Sequence, residues 1–87
     1  MAFVFIPPLL RHLTGGQTRL SVPGDTVREV IAELEMRFPG ITERLCEGGQ
    51  LRPGMSVVVD NMVSTAGLRQ RLTETSEVHF LPAISGG

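Results

Sequence analysis

Residues 24–40 read GDTVREVIAELEMRFPG, and this stretch carries a full set of helix signals. Thr26 followed three positions later by Glu29 is a capping box: the threonine hydroxyl accepts from the Glu29 amide while the glutamate reaches back. Val27, Val30, Ile31, Leu34 and Phe38 fall at i, i+3, i+4, i+7 and i+11, one apolar stripe at the helical period. Arg28, Glu29, Glu33, Glu35 and Arg37 occupy the other side and read as a solvated face. Asp25 complements the positive end of the helix dipole. Pro39-Gly40 stops the helix. A helix with one apolar stripe needs a sheet to lie on, and the flanking sequence supplies one.

On the N-terminal side, residues 2–6 are dense in aromatic and β-branched types and are stopped by Pro7-Pro8. A polar turn follows at Thr14-Gly15-Gly16-Gln17. Residues 18–22 alternate, with Leu20 and Val22 against Arg19 and Ser21, which predicts an antiparallel hairpin with the first strand. The stretch from Pro7 to Gln17 is longer than a tight turn and reads partly as loop. On the C-terminal side, residues 41–47 predict a short second helix that turns Ile41 and Leu45 inward and stops at Gly48-Gly49. Residues 55–59 predict a strand, Asp60-Asn61 a turn, Met62-Val63 a short strand and residues 68–72 a single helical turn. Residues 77–81 predict the last strand, with Val78 and Phe80 on one face, His79 and Leu81 on the other, and Pro82 ending it. The fold class expected is α+β: a roll with a mixed four- to five-stranded sheet and one main helix packed on one face. Residues 1–82 are expected to form the domain and 83–87 a flexible C-terminal diglycine tail.

Composition narrows the function. The chain has 87 residues, 41% of them hydrophobic, so it buries one modest core with little room for an internal active site. Eight basic and nine acidic residues give a net charge of −1, which argues against a nucleic-acid partner held on a basic face. All the basic residues are arginine; with no lysine there is no Schiff base, no P-loop lysine and no side-chain amine to accept an isopeptide. One cysteine makes neither an internal disulfide nor a cysteine-based zinc site. Cys46 reads as a small buried hydrophobe, His12 and His79 as solvent-facing, and Met55 and Met62 as packing residues. No metal site is expected. The apolar run at residues 3–10 is short, broken by Pro7-Pro8 and without a basic region before it, so no leader or membrane span is expected and the compartment is expected to be the cytoplasm.

The remaining chemistry lies in Gly86-Gly87. Terminal glycines add nothing to a core and cost the most entropy to order. What they offer is a backbone thin enough to thread a narrow channel, with no Cβ beside the final carboxylate. The residues Ile6-Pro7, Leu10-Arg11, Thr14-Gly15-Gly16, Gly24-Asp25-Thr26-Val27, Phe38-Pro39-Gly40-Ile41 and the run from Glu77 to Gly87, ending Leu-Pro-Ala-Ile-Ser-Gly-Gly, resemble the MoaD/ThiS family of bacterial sulfur carriers. The resemblance covers almost the whole chain and is strongest at the C-terminus. The Leu-Arg and Thr-Gly-Gly elements are similar to its CysO branch, the carriers of cysteine biosynthesis.

The resemblance implies a ubiquitin-like β-grasp fold and a chain that is a substrate, not an enzyme. It implies that an E1-like adenylyltransferase/sulfurtransferase uses ATP to adenylylate the Gly87 carboxylate, and that a sulfur donor displaces AMP to leave a thiocarboxylate. Pro82, Ala83, Ile84, Ser85 and Gly86 would thread the partner's site. The sulfur would pass to cysteine or a thio-metabolite through a PLP-dependent enzyme, with a JAMM-type metalloprotease releasing the product. The chain itself would bind no cofactor, metal, nucleic acid or membrane and would act as a monomer. Two other readings stand beside this one: a ubiquitin-like modifier conjugated to target lysines, and a β-grasp interaction domain without carrier chemistry.

Alternation on the first strand forces a choice. If Val4 and Ile6 point to the helix, Phe3 and Phe5 lie on the open sheet face, where Val58 and Leu81 join them by parity and His79 is near. That face would be the docking surface for the activating enzyme. The inverted register would place Phe3 and Phe5 in the core.

Overall fold

The computed structural model describes residues 1–82, and for Pro82 the backbone only. The expected threading residues Ala83, Ile84, Ser85 and Gly86, and the expected reacting residue Gly87, lie outside the described residues. Seven strands and two α-helices run in the order β1 (Ala2–Phe5), β2 (Arg19–Val22), α1 (Val27–Arg37), α2 (Ile41–Leu45), β3 (Cys46–Glu47), β4 (Gln50–Leu51), β5 (Met55–Val59), β6 (Met62–Val63) and β7 (Glu77–Pro82). Short 3₁₀ helices cover Pro8–Leu13 and Gly67–Arg69. The main sheet has the order β2-β1-β7-β5-β6. β7 is parallel to β1 and antiparallel to β5. One face of this mixed sheet carries α1, which is the expected β-grasp roll.

The helix forms where its signals lie. The Thr26 Oγ1 accepts from the Glu29 amide at 3.2 Å, and the Glu29 carboxylate reaches back to the Asp25 amide at 3.2 Å, one residue beyond the usual box. Val27, Val30, Ile31 and Leu34 are buried against Val4, Val57, Val78 and Phe80 in one core. Each such side chain contributes about 1.5–3 kcal/mol on leaving water. The loop around Gln70 clamps the helix start: the Val27 amide donates to the Gln70 carbonyl at 3.0 Å and the Leu72 amide to the Asp25 carbonyl at 2.9 Å. Gly24, at φ 149°, lets the backbone enter the helix closely; a Cβ there would stand 3.0 Å from the Val30 amide nitrogen and Cγ2.

Glu35 departs from the solvated role expected of it. Its carboxylate crosses to the next helix and accepts from the Gly40 amide at 2.9 Å and the Thr42 amide at 2.8 Å. It therefore caps α2 from α1 and fixes the corner at Pro39-Gly40. Hydrogen bonds from the Thr42 side chain and from the Gly40 and Thr42 amides favour the ionised form and hold its pKa below the ordinary glutamate value.

Four other expectations need correction. The second helix stops at Leu45, because Gly48 (φ 62°) and Gly49 (φ 79°) make a two-residue turn that pairs Cys46 with Leu51 and Glu47 with Gln50. The glycine pair is a hairpin turn, not a helix stop. The loop after β1 folds as a 3₁₀ helix that presses Leu10 into the core, and Thr14 is buried with its hydroxyl within hydrogen-bond reach of the Arg11 and Gln17 carbonyls. Met62 is 74% exposed on an edge strand of only two residues. The last strand does not stop at Leu81, since Pro82 is still paired, opposite Met55.

The Asp60-Asn61 turn is as expected. Both residues have positive φ, 50° and 70°, the conformation a two-residue hairpin requires. Asp60 also grips β7: its amide donates to the Glu77 carbonyl at 3.0 Å and its Oδ1 accepts from the Glu77 amide at 2.9 Å.

The depressed Glu35 pKa gives a signed expectation. A group whose pKa falls on folding stabilises the native state above its unfolded value and loses that contribution as pH falls through the folded value. Glu35→Ala should lower the melting temperature by a few degrees at pH 7, with the gap from wild type closing below about pH 4. Circular-dichroism melts across that range measure it. A gap independent of pH would deny the carboxylate its capping role.

Candidate functional site

The core takes alternate residues of β1, β2, β5 and β7, so the opposite residues of these strands share the open face. On β1, Ala2 and Val4 are buried while Phe3 and Phe5 are half-buried on the far side. The choice of register is thereby decided: Val4 and Ile6 face the helix. Strand pairing then aligns one row across all five strands. Arg19 lies opposite Phe5, Phe5 opposite His79, His79 opposite Val58, and Val58 opposite Val63. Phe3 flanks this row on one side and Leu81, 50% exposed, on the other.

The contacts within the row are aromatic and cationic. The Phe5 and His79 rings stack with centroids 4.2 Å apart and planes 5° from parallel. His79 is therefore on the solvent-facing side of the sheet, as expected, and half-buried there against Phe5. The Arg19 guanidinium carbon sits 4.6 Å from the Phe3 ring centroid and 5.6 Å from that of Phe5. It covers the aromatic pair in cation–π contact. Arg19 and Val63 are missing from the residues expected here. Their signal was the alternation itself: once Leu20 and Val22 face inward, Arg19 must face out.

Beyond this face, the described residues offer one thiol and one further histidine to consider. Cys46 is half-buried, not fully buried, at the edge of a groove of about 470 Å³ lined by Ile31, Ala32 and Thr42 on the helix side. Burial pushes its thiol pKa up, against a smaller opposing pull from Arg28 and Arg52. The thiol stays protonated at neutral pH and is a poor nucleophile. Among the described residues no three His, Cys, Asp or Glu side chains are grouped to hold a metal, and no helix is long and apolar enough to cross a membrane. His12 is exposed on the 3₁₀ helix.

Residues 4–87 match the sequence profile of the ThiS family. The chain belongs to the ThiS family. Among its relatives is the sulfur carrier protein CysO of Mycobacterium tuberculosis, 37% identical over 89 residues that cover 97% of this chain and 96% of that one. A chain in the crystal structure of the Amycolatopsis orientalis BexX/CysO complex superposes with a TM-score of 0.92 at 32% identity, covering all of both chains. The small archaeal modifier protein 1 of Methanosarcina acetivorans, at 23% identity and a TM-score of 0.81 over 99% of this chain and 95% of that one, shares the fold. The resemblance read from the diglycine tail and the helix is borne out, and this ThiS-family chain has the ubiquitin-like β-grasp architecture.

The two faces of β7 make a direct test of the division between core and surface. Phe80→Ala should cost about 3–5 kcal/mol. Leu81→Asp, one residue on and on the open face, should change stability by no more than about 0.5 kcal/mol. Urea denaturation measures both, and similar losses would mean that the open face is packed.

Proposed function

We propose that this chain is a sulfur carrier of the CysO type, and that the open face around Phe5 docks it on the enzyme that activates it. The observation that carries the reading is the position of Leu81. It is the last open-face residue of β7, and the Gly87 carboxylate lies six positions further on. An extended chain of that length spans about 20 Å. An enzyme seated on Phe3, Phe5, Val58, His79 and Leu81 can therefore draw the tail, Pro82 to Gly86, into a site one short reach away.

The chemistry follows from what a carboxylate lacks. It is a poor electrophile, and adenylylation corrects this. The Gly87 carboxylate oxygen attacks the α-phosphorus of ATP, pyrophosphate leaves, and the product is a mixed anhydride. A sulfur nucleophile from the donor then attacks the carbonyl carbon and AMP departs, which leaves the thiocarboxylate. That group is ionised at neutral pH and nucleophilic at sulfur, so it delivers sulfur without releasing free sulfide. The ATP site, the catalytic groups and any metal belong to the partners: an E1-like adenylyltransferase, a PLP-dependent enzyme that accepts the sulfur, and a metalloprotease that frees the product. The chain acts as a cytoplasmic monomer that carries the reacting atom and the surface that presents it. The raised Cys46 pKa and the lack of lysine fit a donor that performs no catalysis and accepts no copy of itself.

The experiment is an intact-protein mass before and after incubation with ATP, a sulfur source and the E1-like enzyme of the same cell. The expected result is the exchange of one oxygen for one sulfur, absent from a chain lacking Gly87. No change with any activating enzyme, in a folded chain, would overturn the carrier reading. The docking face is tested separately by Phe5→Arg, which should weaken adenylylation about tenfold or more while the fold is retained. Undiminished adenylylation would remove Phe5 from the interface.

A further inference from the structure

The described part of β7 ends between two unlike surfaces. One is the open face. The other lies on the helix side of the same strand end, where Pro7, Leu9, Leu10 and Met55 line a notch of about 520 Å³ flanked by Arg44 and Arg52. Met55 places this notch at the root of the tail. It is the residue paired with Pro82, and it shares the parity of the buried Val57 and Val59, so it faces away from Phe5 and His79. The 3₁₀ helix reaches the same pole because β1 runs parallel to β7 and delivers Pro7 where β7 ends. α2 packs against that 3₁₀ helix and brings Arg44.

The notch has features that the core does not explain. Leu9 is 76% exposed, although Leu10 beside it is buried. Arg44 makes no ion pair among the described residues. Arg52 is held at the rim, its Nε donating to the Glu43 carbonyl at 2.7 Å and its Nη1 to the Glu47 carboxylate at 3.2 Å. Glu43 and Glu47 are the acidic side chains nearest these arginines in sequence, and Glu47 is already engaged by Arg52. The result is an apolar floor with one guanidinium on its rim that is unpaired among the described residues, and a second fixed in place. Such a surface favours an apolar side chain with a carboxylate close beside it and disfavours a cationic segment.

We propose that this notch is a second seat for the activating enzyme, and that it receives an apolar side chain of that enzyme flanked by an aspartate or glutamate. The proposal rests on the carrier reading above. An enzyme that holds the tail extended must grip the end of β7, and the two surfaces lie on either side of that end. The open face supplies aromatic area; the notch supplies the complementary charge. Clasped from both sides, the strand end is fixed in direction as well as position, and that aims the tail.

Leu9→Ser and Arg44→Glu test the proposal, since both side chains are exposed and neither belongs to the core. The full-length chain is titrated calorimetrically with the E1-like enzyme of the same cell, and adenylylation is followed in parallel. Each substitution should weaken binding about tenfold and raise KM with kcat little changed, while circular-dichroism melts show the fold intact. Arg44→Glu should also flatten the dependence of affinity on salt, and Arg44→Lys should restore most of the binding. Unchanged affinity for both variants, with the wild-type chain converted to its thiocarboxylate, overturns the notch and leaves the carrier reading standing. Tighter binding by either variant overturns it as well, because the notch would then hold a segment of this chain itself. A wild-type chain that no activating enzyme converts removes the carrier reading and the notch with it.

Discussion

β7 is held from both sides, and the rest of the molecule depends on that. Its parallel pairing with β1 and antiparallel pairing with β5 leave it no freedom of register. A slip of one residue would carry Val78 and Phe80 out of the core and His79 and Leu81 into it. The strand's start is gripped as well, by Asp60 on the Glu77 backbone and by the Phe3 amide donating to the Ser76 carbonyl at 2.8 Å. Ser76 is itself buried and satisfied, its hydroxyl accepting from the Thr73 amide at 2.8 Å. The last residues of the domain are therefore positioned by its most constrained strand.

A single helix gives the sheet two unlike faces. α1 can bury only the side it lies on, and its stripe of Val27, Val30, Ile31 and Leu34 is used up there. Among the described residues no second helix lies on the other side. Natural small domains hide such a face or use it. Here the exposed face is partly protected by its own contacts: Phe5 stacks on His79, and Arg19 lies over both phenylalanines. These contacts remove some apolar surface from water while keeping the cation at the rim. The face can thus stay soluble without losing the aromatic area that a partner would use.

Much of this was legible in the residues, and what was not has a common cause. Local signals read well: the capping box at Thr26, the helical stripe, the Asp60-Asn61 turn and the strand at 55–59. Each rests on neighbours in sequence. The misread features depend on contacts between segments. Glu35 looks like a solvated helix residue until Gly40 and Thr42 fold back beneath it. Gly48-Gly49 reads equally as a helix stop or as a hairpin turn, and Leu51 decides by pairing with Cys46. The facing of Phe3 and Phe5 was open because a four-residue strand with apolar residues on both sides has no polar face to mark it. Pairing with β2 resolves it, since Leu20 and Val22 cannot face inward unless Arg19 and Ser21 face out.

On the carrier reading proposed above, the same separation would divide the work between this chain and its partners. A group that must be activated by another enzyme is best placed where no side chain of its own protein can react with it. The sole thiol lies on the helix side, held protonated by burial, and the chain contains no lysine. His79, which could act as a base, is stacked on Phe5 in the middle of the open face. Such a domain contributes surface and register instead of catalysis. Register is the scarcer of the two, since a thin tail can be guided into a narrow site only if the strand before it points the right way. The pairing of Pro82 with Met55 carries the sheet's order to the last described residue, so an enzyme that drew in the tail, as proposed, would meet first a strand whose direction the sheet has set.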